Sequence, residues 1–529
     1  MLGGSSAING QAFVANSKAA VNAWGEFGNS GWDWDTLAPY YKKFYTLTRP
    51  SPAACDHLRL SYIDDEVRGT HGPVQASFPE GVEDPLPTAW VDTLASLGYS
   101  ASSDPFSGEM VGGYINAMSI DPVTKTRSDA VTAYLEPAKT RKNLHVVTGA
   151  TVEKLVFDVT GTTPKVIGVE VRKDGNITTV KPVKEVILAA GVFGTPKLLE
   201  LSGIGSRERL EPLGITVVVD NPNVGENLQD HPNTSISFEV ADGVKTMDAL
   251  SRQEPEALGA AMQEYDTKRT GPFASGGNFA GSLLPLPDFE GPEGQEKLKE
   301  VLSATGVDAT PGPFSSYHSS FVHRVLGDPT EGIGNLFTYA SCSNVIPEGA
   351  GADIIHHGAQ GTPGNFLTIC AALLYPLSRG TVHITSADPA VKPTIDPRYL
   401  EHPLDLEVIA RFLQYIEKIA HTEPLSKYMK PDGRRNHGAP MELGDLDTAK
   451  EYVKKSGLSC WHPTSSCAML PRDRGGVVSP ELFVYGVEGL RIVDSSVIPL
   501  ATRGNCQTTV YAVAERAADL IKDAHGICV

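Results

Sequence analysis

The sequence predicts an α/β fold of more than one domain, on three observations. A strand, a small-residue turn and a helix follow one another across residues 185–201, β-patterned runs fill 143–172, and amphipathic helical spacing returns in 405–420 and 510–521. The length agrees, since 529 residues provide for roughly two to four domains of about 100–200 residues each. With 45 basic and 63 acidic residues the net charge is −18, which argues against phosphate backbones or anionic lipid as a main partner, so no nucleic-acid partner is expected. A content of 41% hydrophobic and 20% charged residues excludes wholesale disorder. The 52 glycines and 38 prolines are more than the usual ~12% share and point to many tight loops, where active sites are commonly built.

Taken in order, Met1-Leu2-Gly3-Gly4-Ser5-Ser6-Ala7-Ile8-Asn9-Gly10 has neither a basic nor an apolar leader segment, so it is not a secretory signal. Its glycines let a backbone approach an anion and its serines present donors, as a pyrophosphate requires; a flexible leader is the plain alternative. Residues 143–157 alternate as strand material, with 165–172 as a hairpin partner. Glu185–Gly191 is a short apolar strand ending in small residues, and Thr195 starts a helix with Pro196 at its first position. This unit resembles half of a dinucleotide-binding crossover. A connection rich in proline and asparagine runs to Asp230-His231, and a domain boundary is placed near residue 232.

Beyond it come a helical stretch near 254–266, a glycine-rich loop over 271–281, and short strands. The most apolar stretch, 366–377, falls short of the roughly 18 residues of a membrane span. A strand begins within 375–384, and 405–420 is a long amphipathic helix. The seven cysteines, 55, 342, 370, 460, 467, 506 and 528, have no zinc-ligand spacing, and no metal site is expected.

Chemistry concentrates between Cys460 and Leu520. His462 lies in a loop where Pro463 restricts the backbone. The strand 489–495 ends in Asp494, a common position for holding cofactor hydroxyls, and Arg503–Thr508 leads into a helix whose N-terminus favours negative charge. Each has a simpler reading. His462 could be a satisfied core histidine, Asp494 a strand terminus, Asn505 a turn residue or cap, and Cys506 a small packed residue with no base nearby in sequence.

These residues together resemble the glucose-methanol-choline (GMC) oxidoreductases, FAD-dependent alcohol oxidases and dehydrogenases. The resemblance runs through Leu2–Gly10, Gly28–Trp34, Pro39-Tyr40-Tyr41, Arg127-Ser128, Ala133-Tyr134-Leu135, Leu188–Gly191, Ser202–Gly205, Val224–His231, Pro376–Gly380 and the carboxyl-terminal cluster. It implies an FAD-binding doubly wound, Rossmann-like domain assembled from about 1–50, 143–232 and 456–529, and a substrate domain with a large antiparallel sheet. In terms of regions, 1–232 is the N-terminal FAD-binding part with a substrate-domain insertion at about 51–142. Residues 233–375 bind substrate, and 376–529 form the C-terminal part.

The resemblance further implies that Gly3, Gly4, Ser5, Ser6, Asn9 and Gly10 line flavin and pyrophosphate, that Val152 touches the adenine side, and that Ala190 and Gly191 pack nearby. Asp494 and Ser495 fall where the family binds FAD, and Gln507 sits by the ring. His462 matches the base and Asn505 the second catalytic position, so that a small or secondary-metabolite alcohol loses its proton to His462 and its hydride to flavin N5. Oxygen or another acceptor then takes the electrons. Ala7 stands where covalently flavinylated members carry histidine, so non-covalent FAD is expected.

The family's opening strand, G-x-G-x-x-G turn and helix are not found. Gly203-Ile204-Gly205 follows a helix, and Gly332-Ile333-Gly334 lies among loop residues. The expectation is a truncated form of a full enzyme, because every later cofactor motif persists; the alternative is a chain that binds FAD weakly or not at all. A non-redox lyase or cyclase and an FAD-free remnant are the competing functions. Nothing in the sequence indicates oligomeric state or localisation, and the sequons at Asn176 and Asn233 permit secretion.

Overall fold

The computed structural model describes residues 1–80, 84–276, 280–287, 289, 291–305, 312–343 and 362–527. Cys528 and part of the glycine-rich 271–281 loop lie outside them. Three β assemblies and the helices packed on them organise the chain.

The largest sheet has six strands in the order Leu458–Ser459, Pro232–Glu239, Phe366–Leu373, Gly334–Tyr339, Ala280–Leu284, Gly112–Ile115, every neighbouring pair antiparallel. Phe366–Leu373 lies at its middle and is buried on both faces, which is why that segment reads as an unbroken apolar run. The helix Pro403–Ala420 packs across this strand and Pro232–Glu239. It starts two residues before the expected Asp405. Pro403 occupies the first turn, His402 accepts from the Leu404 N–H, and the buried Asp405 carboxyl is engaged by the N–H groups of Leu377 and Ser378.

A second sheet joins Ala12–Phe13, Ala117–Met118, Val74–Ser77 and Tyr45–Thr48. The third is a meander of Ala150–Asp158, Lys165–Lys173 and Asn176–Val180. Its first strand begins at Ala150 rather than at the expected 143. The last pair is Ala150–Lys173, beyond which the partner turns back, so this sheet offers 143–149 no ladder partner.

The crossover unit is present, with two differences. Val186–Leu188 pairs in parallel with Leu490–Ile492 and uses one edge only, leaving Ile187 44% exposed. The helix runs Gly191–Leu201, so it begins a turn earlier than the expected Thr195 and takes Pro196 into its interior. The ring removes a helical donor to the Val192 carbonyl, and the Ser466 hydroxyl donates to that carbonyl instead at 2.5 Å. His383 secures the other end of the helix. Its Nδ1 lies 2.8 Å from Glu200 and its Nε2 2.9 Å from Glu226.

The final helix spans Gln507–Ala524, longer than the expected 510–521. Its polar first turn is consumed by cross-chain bonds. Gln507 donates to the Ala12 carbonyl, Thr508 to that of Val14, and Thr509 pairs with the Tyr41 hydroxyl. No helix among the described residues is long and apolar enough to cross a membrane, and no group of acidic, histidine and cysteine side chains there could hold a metal.

Candidate active site

Two loops meet in front of the N-terminal turn. The first follows Leu458–Ser459, the edge strand of the large sheet, which pairs with Pro232-Asn233 and so brings 460–463 beside Asp230 and His231. Asp230 organises this junction. Its Oδ1 accepts the main-chain N–H groups of His231 at 2.8 Å and His462 at 2.9 Å, and its Oδ2 accepts the Tyr399 and Ser459 hydroxyls at 2.5 Å each. The carboxyl is 7% exposed, so four donors converge on a nearly buried group.

The second loop, 502–506, is held by Arg503, which is 1% exposed and donates to the carbonyls of Ala15, Asn16, Pro105, Gly108 and Met110. A guanidinium suits this task because its five N–H groups form a fixed fork that several carbonyls can share. The loop presents Asn505, whose Nδ2 lies 2.9 Å from His462 Nε2. On the far side of the imidazole, His462 Nδ1 lies 3.0 Å from His231 Nδ1. Burial lowers the His462 pKa from its ordinary 6.5 to about 4, and the charge of Asp230 acts against that shift. The ring is therefore neutral at neutral pH. Burial, then the neighbouring His462, holds His231 well below the ordinary value too.

From Asn505 the chain continues to Gln507, which ties the site to the amino end. Gln507 Oε1 accepts from Asn9 Nδ2 at 2.9 Å, across 498 residues of sequence. Asn9 Oδ1 in turn receives Arg127 at 2.8 Å and the Gln11 N–H at 3.0 Å. Asn9 and Gln507 thus join one amide chain beside the His462–Asn505 pair. Gly3 to Ser6 form the start of a 3₁₀ turn, Gly4–Ala7, with the Ser6 hydroxyl bonded to the Gly3 carbonyl and to the Ala130 N–H. Ser5 and Gly10 are exposed.

Asp494 follows Leu490–Ile492 as expected, but its carboxylate already takes three donors. Gly191 N–H and the Thr195 hydroxyl reach Oδ2 at 3.0 and 2.6 Å, and the Ser496 N–H reaches Oδ1 at 2.8 Å. About one of its four acceptor positions remains for a ligand hydroxyl. Ala190 is exposed and precedes Gly191, whose φ of +81° favours glycine. Ser495 opens the 3₁₀ turn that Asp494 caps. Val152 is exposed in the meander, its backbone opposite Val171.

These residues suit FAD. A Cβ built on Gly4, Gly10 or Gly191 would enter open space, so all three border free volume. The leading N–H groups of the 3₁₀ turn are donors for phosphate, Asp494 keeps an acceptor for a hydroxyl, and the Asn9 and Gln507 amides are polar groups for a ring.

A large antiparallel sheet together with a parallel strand–helix crossover, and glycines that border free volume, suits a flavin-dependent oxidoreductase. The chain matches models described as GMC oxidoreductase over residues 1–233 and 376–514, and it belongs to that family. It is 33% identical over 525 residues to the GMC oxidoreductase family protein Mala s 12 of Malassezia sympodialis, covering 98% of this chain and 79% of that protein. An FAD-dependent oxidoreductase from Chaetomium thermophilum superimposes with a TM-score of 0.86 at 28% identity, over 99% of this chain and 86% of its own. A fungal aryl-alcohol oxidase does so with a TM-score of 0.81 at 26% identity, over 99% and 86%. The protein is thus an FAD-dependent oxidoreductase, which acts on a small molecule and passes electrons to an acceptor.

The structure brings His462 beside Asn505 and Asn9 beside Gln507, and it adds Asp230, His231, Tyr399, Ser459 and Arg127, to which the sequence reading assigns no role. In the sequence Asp230-His231 reads as the end of a connection and as part of a motif, and 231 residues separate the two histidines. The available signal was an acidic residue next to a histidine just before a buried strand.

Proposed function

We propose that the protein oxidises an alcohol carbon to a carbonyl, with His462 as the base and Asn505 as the group that holds the alcohol oxygen. The supporting observation is the His462–Asn505 contact of 2.9 Å, with the imidazole kept neutral by burial. A substrate hydroxyl can replace that direct contact by entering between the two groups as they part, accepting from the Asn505 amide and donating to His462 Nε2. The proton then moves to Nε2, and the amide keeps its bond to the oxygen and limits rotation about the C–O axis. Gly3, Gly4, Ser5, Ser6, Asn9, Gly10, Ala190, Gly191, Asp494, Ser495 and Gln507 would hold FAD, with Val152 towards its adenine end. FAD, when bound, supplies the acceptor for the hydride. Asp230 fixes the His462 main chain, and Arg503 fixes the loop that carries Asn505.

The test is anaerobic mixing of FAD-loaded protein with a panel of primary and secondary alcohols, followed by flavin absorbance. Bleaching by at least one alcohol, with formation of its carbonyl, is the expected result. Flavin that stays yellow while product forms assigns lyase or cyclase chemistry instead.

A further inference from the structure

The two histidines raise a question of proton placement that their surroundings answer. Two facing Nδ1 atoms 3.0 Å apart hold one proton between them when both rings are neutral. If it sits on His462, that ring presents a bare Nε2 to the Asn505 amide Nδ2, a donor facing an acceptor at 2.9 Å. His231 then carries its own proton on Nε2. That nitrogen is buried without a partner at full hydrogen-bond geometry, and the main-chain carbonyls of Thr502 and Leu374 bear on the ring as acceptors. If the proton sat on His231 Nδ1, His462 would hold its hydrogen on Nε2 against an N–H donor, and a bare His231 nitrogen would face carbonyl oxygens. Both ends of the pair therefore select the same arrangement.

We propose that His231 is a positioning residue that keeps the His462 proton on Nδ1 and so aims the Nε2 lone pair at the substrate hydroxyl. The proposal rests on the reading of His462 as the base and adds how that base is kept in its competent tautomer. When the alcohol proton arrives on Nε2, His462 becomes an imidazolium whose Nδ1–H still donates to the neutral His231. No second proton moves. The other charged or titratable groups around the pair are Asp230, Tyr399, Cys460 and Cys506. Burial pushes the Cys506 thiol up to about 12 and raises Cys460 and Tyr399 as well, so these three neither give nor take a proton near neutrality. His231 is 1% exposed and its main-chain carbonyl accepts from Cys460 at 3.0 Å, so the ring has little freedom to turn away.

The direct test is histidine-selective ¹⁵N NMR of the FAD-loaded protein, with His462 assigned by its loss in His462→Ala. The expected pattern between about pH 6 and 8 is a protonated Nδ1 and a bare Nε2 on His462. A bare Nδ1 overturns the proposal. In parallel, His231→Leu should mix the two tautomers and lower kcat by about tenfold or more, the rate equivalent of one hydrogen bond, with KM within about twofold. His231→Gln, whose amide oxygen can accept from His462 Nδ1, should recover most of the kcat and the wild-type tautomer. Unchanged kcat and tautomer in a flavin-containing His231→Leu protein also overturn the proposal. If His231→Leu fails to fold, the wild-type spectrum and His231→Gln still decide. Near-normal turnover in His462→Ala with the expected wild-type ring pattern removes the base role and leaves the hold of His231 on the ring intact.

Discussion

Replacing Asp230 tests the junction on which both histidines depend. Four hydrogen bonds, at 2.8, 2.9, 2.5 and 2.5 Å, end on its carboxylate. In Asp230→Asn the amide oxygen can keep the two main-chain N–H groups, which cannot turn. The amide nitrogen can donate to the Tyr399 and Ser459 hydroxyls, which can. The geometry survives and the charge is lost. Charged hydrogen bonds contribute roughly 1.5–3 kcal/mol and neutral ones about 0.5–1.5 kcal/mol, so four conversions, which are not fully additive, should cost about 2–4 kcal/mol. Asp230→Ala leaves the donors without an acceptor and should cost more, above about 4 kcal/mol. Urea unfolding followed by fluorescence and near-UV circular dichroism gives both values. The same charge is what opposes the lowering of the His462 pKa, so in Asp230→Asn the acid limb of kcat/KM should move to still lower pH. Asp230→Asn within about 0.5 kcal/mol of wild type, or an acid limb displaced upward, refutes this account.

Four further outcomes are expected. For the wild type, kcat/KM should stay level through neutrality and fall only as the pH approaches about 4, where His462 takes a proton; a pH series with one alcohol checks it. His462→Ala should lower turnover by roughly two or more orders of magnitude while flavin absorbance is retained. Around His383, burial opposes the charge but hydrogen bonds to Glu200 and Glu226 outweigh it and raise the pKa. A raised folded value means that this stabilisation is complete below about pH 6.5 and lost as the pH climbs through the folded pKa, so His383→Gln should destabilise more at pH 5.5 than at pH 9, as read by thermal unfolding. Ser466→Ala, which deprives the Val192 carbonyl of its donor, should cost about 1–3 kcal/mol in denaturant unfolding.

What the sequence disclosed divides along physical lines. Phe366–Leu373, Pro403–Ala420 and Lys165–Lys173 were legible because burial on both faces, on one stripe or on alternate residues each leaves a periodic trace. Helix ends were less legible. Pro196 read as a start, yet it lies inside a helix because a hydroxyl 270 positions away replaces the missing donor, and no local pattern encodes that partner. The same holds for the site. His462, Asn505 and Gln507 lie within one stretch and were found together, whereas Asp230 and His231 act on them only after the edge strand Leu458–Ser459 has paired with Pro232-Asn233. Asp494 follows its strand as expected, but two of its three internal donors, Gly191 N–H and the Thr195 hydroxyl, come from the distant helix Gly191–Leu201, and no local pattern encodes them.

The cross-links between the two extremities carry a consequence for biosynthesis. Asn9 to Gln507, Ala12 to Gln507, Val14 to Thr508 and Asn16 to Arg503 all close at separations of 487 to 498 residues. At translation speeds of about 5–20 residues per second, the leading turn waits roughly 25 to 100 s for the segment that completes it. During that interval four of the six strands of the large sheet, Gly112–Ile115, Pro232–Glu239, Ala280–Leu284 and Gly334–Tyr339, are made before Phe366–Leu373, the strand that joins two of them. The loop that carries Asn505 and the turn that carries Asn9 therefore meet only after the chain of 487 to 498 residues that separates them has been made.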